Sequence, residues 1–182
     1  MQKLSMDQLN RADVPSFKAQ EKTPIVLVLD NVRSMHNVGS TFRTADGFGL
    51  TKIILCGITA QPPHREIEKT ALGATQSVEW KHYDNNIEAI QELKNEGYKI
   101  YAIEQVSNSI SLPDFVPSLD HKYALIFGNE VNGVDEKLLP LVDGCIEVPQ
   151  FGTKHSFNVS VTVGVVSWDL LSKMKFSNKK SD

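Results

Sequence analysis

The sequence contains little cysteine. Cys56 and Cys145 are its two cysteines, and they stand far apart with no CxxC or paired-histidine spacing. A zinc site usually needs about four ligands at short spacings, so the pattern argues against zinc and predicts no metal. In a cytoplasmic chain, both cysteines are predicted to be buried as small hydrophobic residues.

Long apolar runs are also absent. No stretch approaches the roughly 18 consecutive apolar residues of a membrane-spanning helix. Residues 1–17 lack the apolar core of a signal peptide. We therefore expect a cytoplasmic protein without membrane contact.

The chain has no excess of positive charge, with 19 lysine and arginine residues against 22 aspartate and glutamate residues and a net charge of −3. Most nucleic-acid-binding domains carry a basic face, so composition alone argues mildly against such a function. If RNA binds, it must bind to local basic groups. These groups are Arg33 with Arg43, His64 with Arg65, Lys154 with His155, and Lys173 with Lys175, Lys179 and Lys180.

The usual phosphate-binding loops are missing as well. The pattern GxxxxGK[ST] does not occur, and the nearest approach to GxGxxG, at 47–52, lacks the third glycine. A flavodoxin-like nucleotide-binding domain would need a phosphate loop after the first strand, where only Gly39 is nearby. This makes a nucleotide-binding domain of that type the weakest of the alternatives.

Apolar runs alternate with helical patterns along the 182 residues, which suit one domain. This order predicts an α/β fold with a largely parallel sheet flanked by helices. The predicted strands are 25–30, 52–57, 77–83, 98–105, 122–128 and 145–149, and the predicted helices are 38–48, 67–74, 85–97 and 134–143. Residues 1–22 are predicted as an N-terminal arm, 23–172 as the domain and 173–182 as a basic tail. The pattern at 156–171 fits a strand or a helix capped by Ser156, and leaves the choice open.

Three segments combine polar residues with a strand end, where ligands sit in open α/β sheets. The first, 30–50, contains Asn37 and Arg43, which could also be a helix cap and a surface ion pair. The second, 124–135, contains Gly128 and Glu130, in a segment that could also be a simple turn. The third, 148–161, contains Ser156 and Asn158, which could also be a helix cap and a solvent-facing side chain.

Taken together, the three segments resemble the three motifs of the SpoU (TrmH-like) family of RNA methyltransferases, and the resemblance spans about 23–171. Motif one, N…NxGxxxR, is matched by Asn31, Asn37, Gly39 and Arg43. Motif two, FGxExxG, is matched by Phe127, Gly128, Glu130 and Gly133. Motif three is matched by Val148, Pro149, Gly152, Ser156, Asn158, Ser160 and Gly164.

The resemblance implies an α/β fold with a C-terminal trefoil knot, a helix at 156–171 and a homodimer. It implies methylation of a ribose 2′-hydroxyl in RNA with S-adenosyl-L-methionine (AdoMet) as cofactor. Because the extra N-terminal RNA-binding domain of many rRNA-modifying relatives is missing, tRNA is favoured over rRNA. The alternative is a catalytically silent knotted module that binds RNA or senses AdoMet.

The resemblance also assigns site residues. The implied cofactor-binding residues are Ile103, Glu104, Gly128, Val148, Ser156 and Phe157. The implied catalytic residue is Arg43, assisted by Asn37, Glu130, Ser156 and Asn158. A guanidinium is a poor base because its pKa exceeds about 12, so we expect Arg43 to stabilise a developing 2′-oxyanion.

Overall fold

The structure is a computed structural model that describes residues 2–5 and 7–176. Its α-helices are α1 (Val14–Ala19), α2 (Met35–Phe48), α3 (Arg65–Ala71), α4 (Ala74–Ser77), α5 (Asn86–Asn95) and α6 (Val159–Phe176). Its strands are β1 (Thr23–Asp30), β2 (Leu50–Cys56), β3 (Glu79–Tyr83), β4 (Tyr98–Ile103), β5 (Ile110–Ser111), β6 (Lys122–Phe127) and β7 (Gly144–Glu147). Short 3-10 turns lie at Asp7–Leu9, Leu112–Asp114 and Leu139–Leu141.

The seven strands form one sheet in the order β3-β2-β1-β6-β4-β7-β5, and every pair of neighbours is parallel. The predicted α/β fold with a largely parallel sheet is therefore confirmed. All the strands end at the same edge, which gathers the loops that follow β1, β4, β6 and β7. The trefoil knot implied by the resemblance stays a prediction.

Successive residues of the central strands feed two separate cores, because side chains alternate between the faces of a sheet. Leu27 and Leu29 of β1 pack with α2, α3, α4 and α6 on one face. Val26 and Val28 pack with α5 and with Leu138 on the other. Near-continuous burial of β1 is typical of a parallel sheet covered on both faces.

Two local predictions are confirmed, namely a helix that begins near position 85 and the burial of both cysteines. Asn85 is the N-cap of α5, and its side chain accepts a hydrogen bond from the amide of Ile87. Cys56 and Cys145 are free and buried, and burial followed by the charge of Asp30 raises the pKa of the Cys56 thiol to about 12. None of the helices within the described ranges combines the length and apolar character needed to cross a bilayer.

Two local predictions are wrong, and one short strand was not predicted. The helix predicted at 134–143 is only the 3-10 turn Leu139–Leu141, because Pro140 cannot continue a helical hydrogen-bond ladder. The two-residue strand β5 is too short to leave a pattern in the sequence. Ser156 does not cap α6; instead Asn158 Oδ1 accepts hydrogen bonds from the amides of Ser160, at 2.9 Å, and Val161, at 3.4 Å.

The predicted arm and tail both contain helix where the structure describes them. The predicted N-terminal arm holds a 3-10 turn and α1, whose N-cap is Asp13. At the other end, α6 continues past position 172, so Lys173 and Lys175 are helical. Lys173 Nζ donates to the carbonyl oxygens of Leu112, at 2.7 Å, and Phe115, at 2.9 Å. Lys179 and Lys180 of the predicted tail lie outside the described residues.

Helices α2 and α3 approach each other closely at Gly39. A Cβ at this position would lie 2.2 Å from the carbonyl oxygen of Ile67 and 2.2 Å from Thr70 Oγ1. Thr70 Oγ1 donates to the carbonyl oxygen of His36 at 3.0 Å, so it is not free to move away. The motif glycine is therefore required by helix packing.

We expect Gly39→Ala to lower the free energy of unfolding by about 1–3 kcal/mol, because the added methyl must push two helices apart. Gly47→Ala in the same helix is the matched control, since its Cβ would meet nothing within 4 Å. That control should stabilise the protein by roughly 0.5–1 kcal/mol through helix propensity. Urea denaturation measures both changes, and equal values for the two variants would contradict the close approach.

Candidate active site

A cavity of about 550 Å³ opens at the carboxyl ends of β4, β6 and β7. Every residue predicted to bind the cofactor lines this cavity: Ile103, Glu104, Gly128, Val148, Ser156 and Phe157. They come from three loops and from the approach to α6, which are distant in sequence. The parallel sheet brings them together because these strands all end at the same edge.

The loop that follows β6 forms one wall of the cavity. Asn129 and Gly133 exchange two backbone hydrogen bonds, of 2.8 and 2.9 Å, and Gly133 has a left-handed φ of 71°. Because this loop folds back so tightly, a Cβ on Gly128 would lie 2.0 Å from the carbonyl carbon of Gly133 and 2.1 Å from the amide of Val134. Only a glycine at position 128 allows the two backbone segments to lie this close together.

Side chains on both sides hold this loop in place. Asn129 Nδ2 donates to the carbonyl oxygen of Asn31 at 2.7 Å, and Asn129 Oδ1 accepts from the amide of Val131 at 2.8 Å. On the opposite side, Glu104 Oε2 accepts from the amide of Val134 at 2.9 Å. The wall is thus tied to the ends of both β1 and β4.

A polar chain links the three motifs. Asn158 Nδ2 donates to Asn37 Oδ1 at 3.1 Å, and Asn37 Nδ2 donates to Glu130 Oε1 at 3.1 Å. Glu130 also accepts from the backbone amides of Arg33 and Ser34, both at 2.9 Å. Of the residues predicted to be catalytic, Glu130, Ser156 and Asn158 line the cavity, and Asn37 is hydrogen-bonded to Glu130 and Asn158.

The position of Asn37 corrects the sequence analysis. Asn37 lies inside α2 and does not cap it, because the helix begins at Met35 rather than at the predicted position 38 and has Ser34 as its N-cap. Asn37 is 8 % exposed, and Asn158 uses its amide nitrogen toward Asn37 and its oxygen to cap α6. Neither residue serves only as a cap or only faces solvent.

Glu130 is held as a carboxylate. Partial burial raises the pKa of Glu130. The hydrogen bonds from the amides of Arg33 and Ser34 and from the side chain of Asn37 lower it by more, so the pKa lies below its ordinary value. At neutral pH this side chain accepts hydrogen bonds and has no proton to give. It also places a negative charge at the N-terminus of α2, which the helix dipole favours.

We expect Glu130→Gln to lower the free energy of unfolding by about 1–3 kcal/mol at pH 7, because an amide nitrogen would face donors that need an acceptor. Glu136→Gln, on an exposed residue without a described side-chain hydrogen bond, is the matched control. Because the folded-state pKa of Glu130 is lowered, its contribution exists above the ordinary pKa of about 4.3 and is lost as the pH falls through the folded-state value. Denaturation curves at pH 7 and at low pH should show the difference between the variants shrinking. A constant difference would contradict the charged role.

Arg43 is not part of the cavity. It lies exposed on α2, two helical turns beyond Asn37, and does not line the cavity. Within residues 2–5 and 7–176, no hydrogen bond or ion pair of Arg43 is found, so the alternative of a surface ion pair receives no support. Its guanidinium therefore forms no polar contact with the part of the chain that the structure describes.

Three residues that the sequence analysis did not single out form a hydrogen-bonded cluster at the end of β1: Asp30, Asn86 and Asp135. Asp30, 1 % exposed at the end of β1, accepts from Asn86 Nδ2 at 3.0 Å and from the amide of Asp135 at 2.8 Å. Asn86 Nδ2 also donates to Asp135 at 3.2 Å. Partner groups that lie 56 and 105 residues from Asp30 along the chain leave no local signal. The only available sign was an acidic residue closing an apolar strand.

Comparison with known proteins adds to this geometry. Residues 24–168 match the profile of the SpoU rRNA Methylase family, which is most of the chain. The chain belongs to this family. The sequence-based recognition is therefore confirmed.

Two named relatives give the level of similarity. A tRNA (guanosine(18)-2′-O)-methyltransferase of Borreliella burgdorferi is 29% identical over 154 residues, covering 85% of this chain and 69% of the relative. The 23S rRNA (guanosine-2′-O-)-methyltransferase RlmB of Vibrio parahaemolyticus is 30% identical over 159 residues, covering 87% of this chain and 63% of the relative. The chain thus spans about two thirds of the length of these proteins.

Solved structures of SpoU proteins share the fold. The TrmH/SpoU tRNA modifying enzyme of A. aeolicus superposes with a TM-score of 0.77 at 23% identity, covering 88% of this chain and 80% of that one. An AdoMet-bound rRNA methyltransferase of Sinorhizobium meliloti gives a TM-score of 0.77 at 22% identity, covering 88% of this chain and 61% of that one.

The part of the chain that the structure describes holds no cluster of three or more metal-binding side chains.

Proposed function

We propose that the protein transfers a methyl group from AdoMet to a ribose 2′-hydroxyl of RNA. The observation that carries the proposal is the hydrogen-bonded chain of Asn158, Asn37 and Glu130, which joins all three motifs beside one cavity. Relatives named as tRNA and 23S rRNA 2′-O-methyltransferases support the reaction type. Membership of the family supports the same assignment.

The cavity suits AdoMet in size and chemistry. Its volume of about 550 Å³ is that of a small-molecule site. The loop from Gly128 to Gly133 lines the cavity, and its backbone amide and carbonyl groups can pair with the edge of an adenine. Ser156 adds a hydroxyl, and Ile103, Val148 and Phe157 add apolar surface. When bound, AdoMet supplies an activated methyl group.

The protein's own task is to position the acceptor and to stabilise charge. The 2′-hydroxyl is a strong nucleophile only as its proton passes to solvent, and preorganised donors stabilise the negative charge that this loss leaves on the oxygen. We assign this role to Arg43, with Asn37, Glu130 and Asn158 fixing the first turns of α2 and α6 around the cavity. Glu130 accepts hydrogen bonds from three groups of its own chain, so we assign it a positioning role.

We also propose that the protein is a homodimer that packs through α6. Val161, Val165 and Trp168 recur at helical spacing on α6, and they are 52%, 44% and 51% exposed. Trp168 contacts Phe48 and Phe176, so the apolar surface continues across α2 and the end of α6. Exposed contiguous apolar surface of this kind usually marks an interface.

The dimer would also give Arg43 a place to act. Val159 and Thr162, in the first turn of α6, line the cavity, and Val161 lies between them. A second copy packed on Val161 therefore stands beside the cavity mouth. We propose that Arg43 serves the cavity of the partner subunit, which accounts for its distance from the cavity of its own chain.

The acceptor is proposed to be tRNA, with ribosomal RNA as the second candidate, and the protein is proposed to act in the cytoplasm. The test is incubation with methyl-labelled AdoMet and total RNA from a strain that lacks the gene. The tRNA and rRNA fractions are then separated and digested to nucleosides. Label on a ribose 2′-oxygen of tRNA supports the whole proposal, whereas label on rRNA alone corrects the acceptor.

Two other outcomes would overturn the reaction. Label on a base would leave a methyltransferase of a different specificity. Binding of AdoMet without label in any RNA would favour the catalytically silent module. The exposed position of Arg43 outside the cavity of its own chain is the observation that keeps this second candidate in view.

A further inference from the structure

Phe151 has no role in the folded core. Its side chain is 98% exposed, the highest value among the large apolar side chains of the described residues. Burial of a phenylalanine contributes roughly 1.5–3 kcal/mol to stability, and Phe151 forgoes that contribution. Folding therefore does not explain an aromatic residue at this position.

The segment around Phe151 lies against two adjoining cavities. Besides the cavity of about 550 Å³, a second one of about 400 Å³ lies along the same segment. The two share the lining residues Gln105, Glu147, Val148, Gln150 and His155. Gly152 and Lys154 line only the second. The proposed cofactor cavity is thus extended by a polar space next to Phe151.

Charge at this place suits an anionic partner. Lys154 and His155 are exposed, and within the described ranges no carboxylate forms an ion pair with Lys154. Glu147 lines the same cavity as Lys154, but it forms no ion pair with it. In a chain with a net charge of −3, this segment is one of few places that attract phosphate.

We infer that 150–155 binds an unpaired nucleotide of the acceptor RNA next to the reacting ribose. Phe151 stacks on its base, and Lys154 contacts its phosphate. The inference rests on the proposed function and names the RNA-reading element of the same site. Stacking of splayed-out bases on exposed aromatic side chains is the common way in which proteins bind single-stranded RNA.

The immediate neighbours of Phe151 favour RNA over a protein partner. A protein interface would require a contiguous apolar patch, whereas Gln150, Gly152, Thr153 and Lys154 surround Phe151 in the chain. An aromatic ring beside a lysine and an amide matches the three parts of a nucleotide: the flat base, the phosphate and the polar base edge.

The test compares Phe151→Leu, Phe151→Trp and Lys154→Ala in the full chain, with Val116→Ala and Lys94→Ala as exposed controls on other surfaces. Methyl transfer gives KM and kcat for the RNA identified above. Fluorescence anisotropy with fluorescently labelled total tRNA gives the Kd for RNA independently of turnover, because it is done with S-adenosylhomocysteine, which has no methyl group to transfer. Calorimetry gives the Kd for AdoMet alone, and analytical ultracentrifugation gives the oligomeric state.

Phe151→Leu should raise KM and Kd for RNA by about 5- to 100-fold, because the leucine keeps apolar area but loses stacking. Phe151→Trp should restore both values, and the Kd for AdoMet should stay unchanged. Lys154→Ala should reduce the slope of log Kd against log salt concentration by about 1, while Phe151→Leu leaves that slope unchanged.

Three results would overturn the inference. They are RNA binding unaffected by Phe151→Leu, a weakened Kd for AdoMet alone, or loss of the dimer, which would assign Phe151 to a subunit interface. Failure of the proposed function looks different: RNA would bind and depend on Phe151, but no variant or wild-type protein would transfer methyl to it.

Discussion

Replacing Gly128 by alanine is expected to weaken AdoMet binding by about 10- to 100-fold, equivalent to an overpacking cost of roughly 1–3 kcal/mol. The new Cβ would lie 2.0 Å from a backbone carbon of Gly133 and 2.1 Å from the amide of Val134. Backbone atoms cannot rotate away as a flexible side chain does, so the loop at 129–133 must move. That movement changes the wall of the proposed cofactor cavity.

The loop has little freedom to relax around the added methyl. Asn129 fixes one side of it to the carbonyl oxygen of Asn31, and Glu104 fixes the other through the amide of Val134. We therefore expect the cost to fall on ligand binding as well as on stability. Isothermal titration with AdoMet measures the first, and thermal unfolding without ligand measures the second.

Gly152→Ala is the matched control, because a Cβ there would meet nothing within 4 Å. It belongs to motif three and lines the second cavity, so it tests whether any motif glycine gives the effect. We expect the control to bind AdoMet within about twofold of wild type, a difference of less than 0.5 kcal/mol. Unchanged AdoMet binding by Gly128→Ala would contradict the assignment of this cavity to the cofactor.

The second large effect is expected at Arg43. Arg43→Ala should reduce kcat for methyl transfer by about 10²- to 10³-fold, the usual consequence of removing one donor from a developing oxyanion. The Kd for AdoMet should be unchanged, since Arg43 does not line the cavity. Arg43→Lys should recover only part of the rate, because a lysine lacks the planar fork of donors.

Arg11→Ala, in the N-terminal arm, controls for the loss of one positive charge at an exposed position. Mixing Arg43→Ala with Gly128→Ala protein then tests whether the arginine acts across subunits. If it does, mixed dimers contain one intact site and regain activity that neither variant has alone. Full activity of Arg43→Ala would end its catalytic assignment, and no recovery in mixed dimers would place its action within one chain.

Much of the fold could be predicted because the central strands carry apolar side chains on both faces of the sheet. Val26 to Leu29 face cores on both sides of the sheet, and this burial leaves an unbroken run in the sequence. The sequence pattern did not distinguish a strand from a helix where the residue types favoured one and the length of the segment favoured the other. At 156–171 the valine-rich sequence suits a strand, yet α6 is a helix, because packing against α2 and β1 outweighs the intrinsic preference.

The candidate site was predictable from motif resemblance and hardly at all from local pattern. Asn37 hydrogen-bonds to Glu130 across 93 residues and to Asn158 across 121, so no local spacing could join them. Taken singly, each residue fits a cap or a turn. The resemblance supplied the grouping, and the structure supplies the physical reason, which is one hydrogen-bonded chain. The position of Arg43 outside the cavity could be found only from the structure, because the sequence does not say which face of α2 meets the cavity.

The chain of Asn37, Glu130 and Asn158 also bears on protein synthesis. On the ribosome, the β1 and α2 segments emerge long before Asn158, the last member of the hydrogen-bonded chain, and before α6. A nascent chain that stops before Asn158 lacks both the link to Asn37 and the cap of α6. Nascent chains that stall before Asn158 should therefore be unable to retain AdoMet, and cofactor capture requires that translation has passed α6.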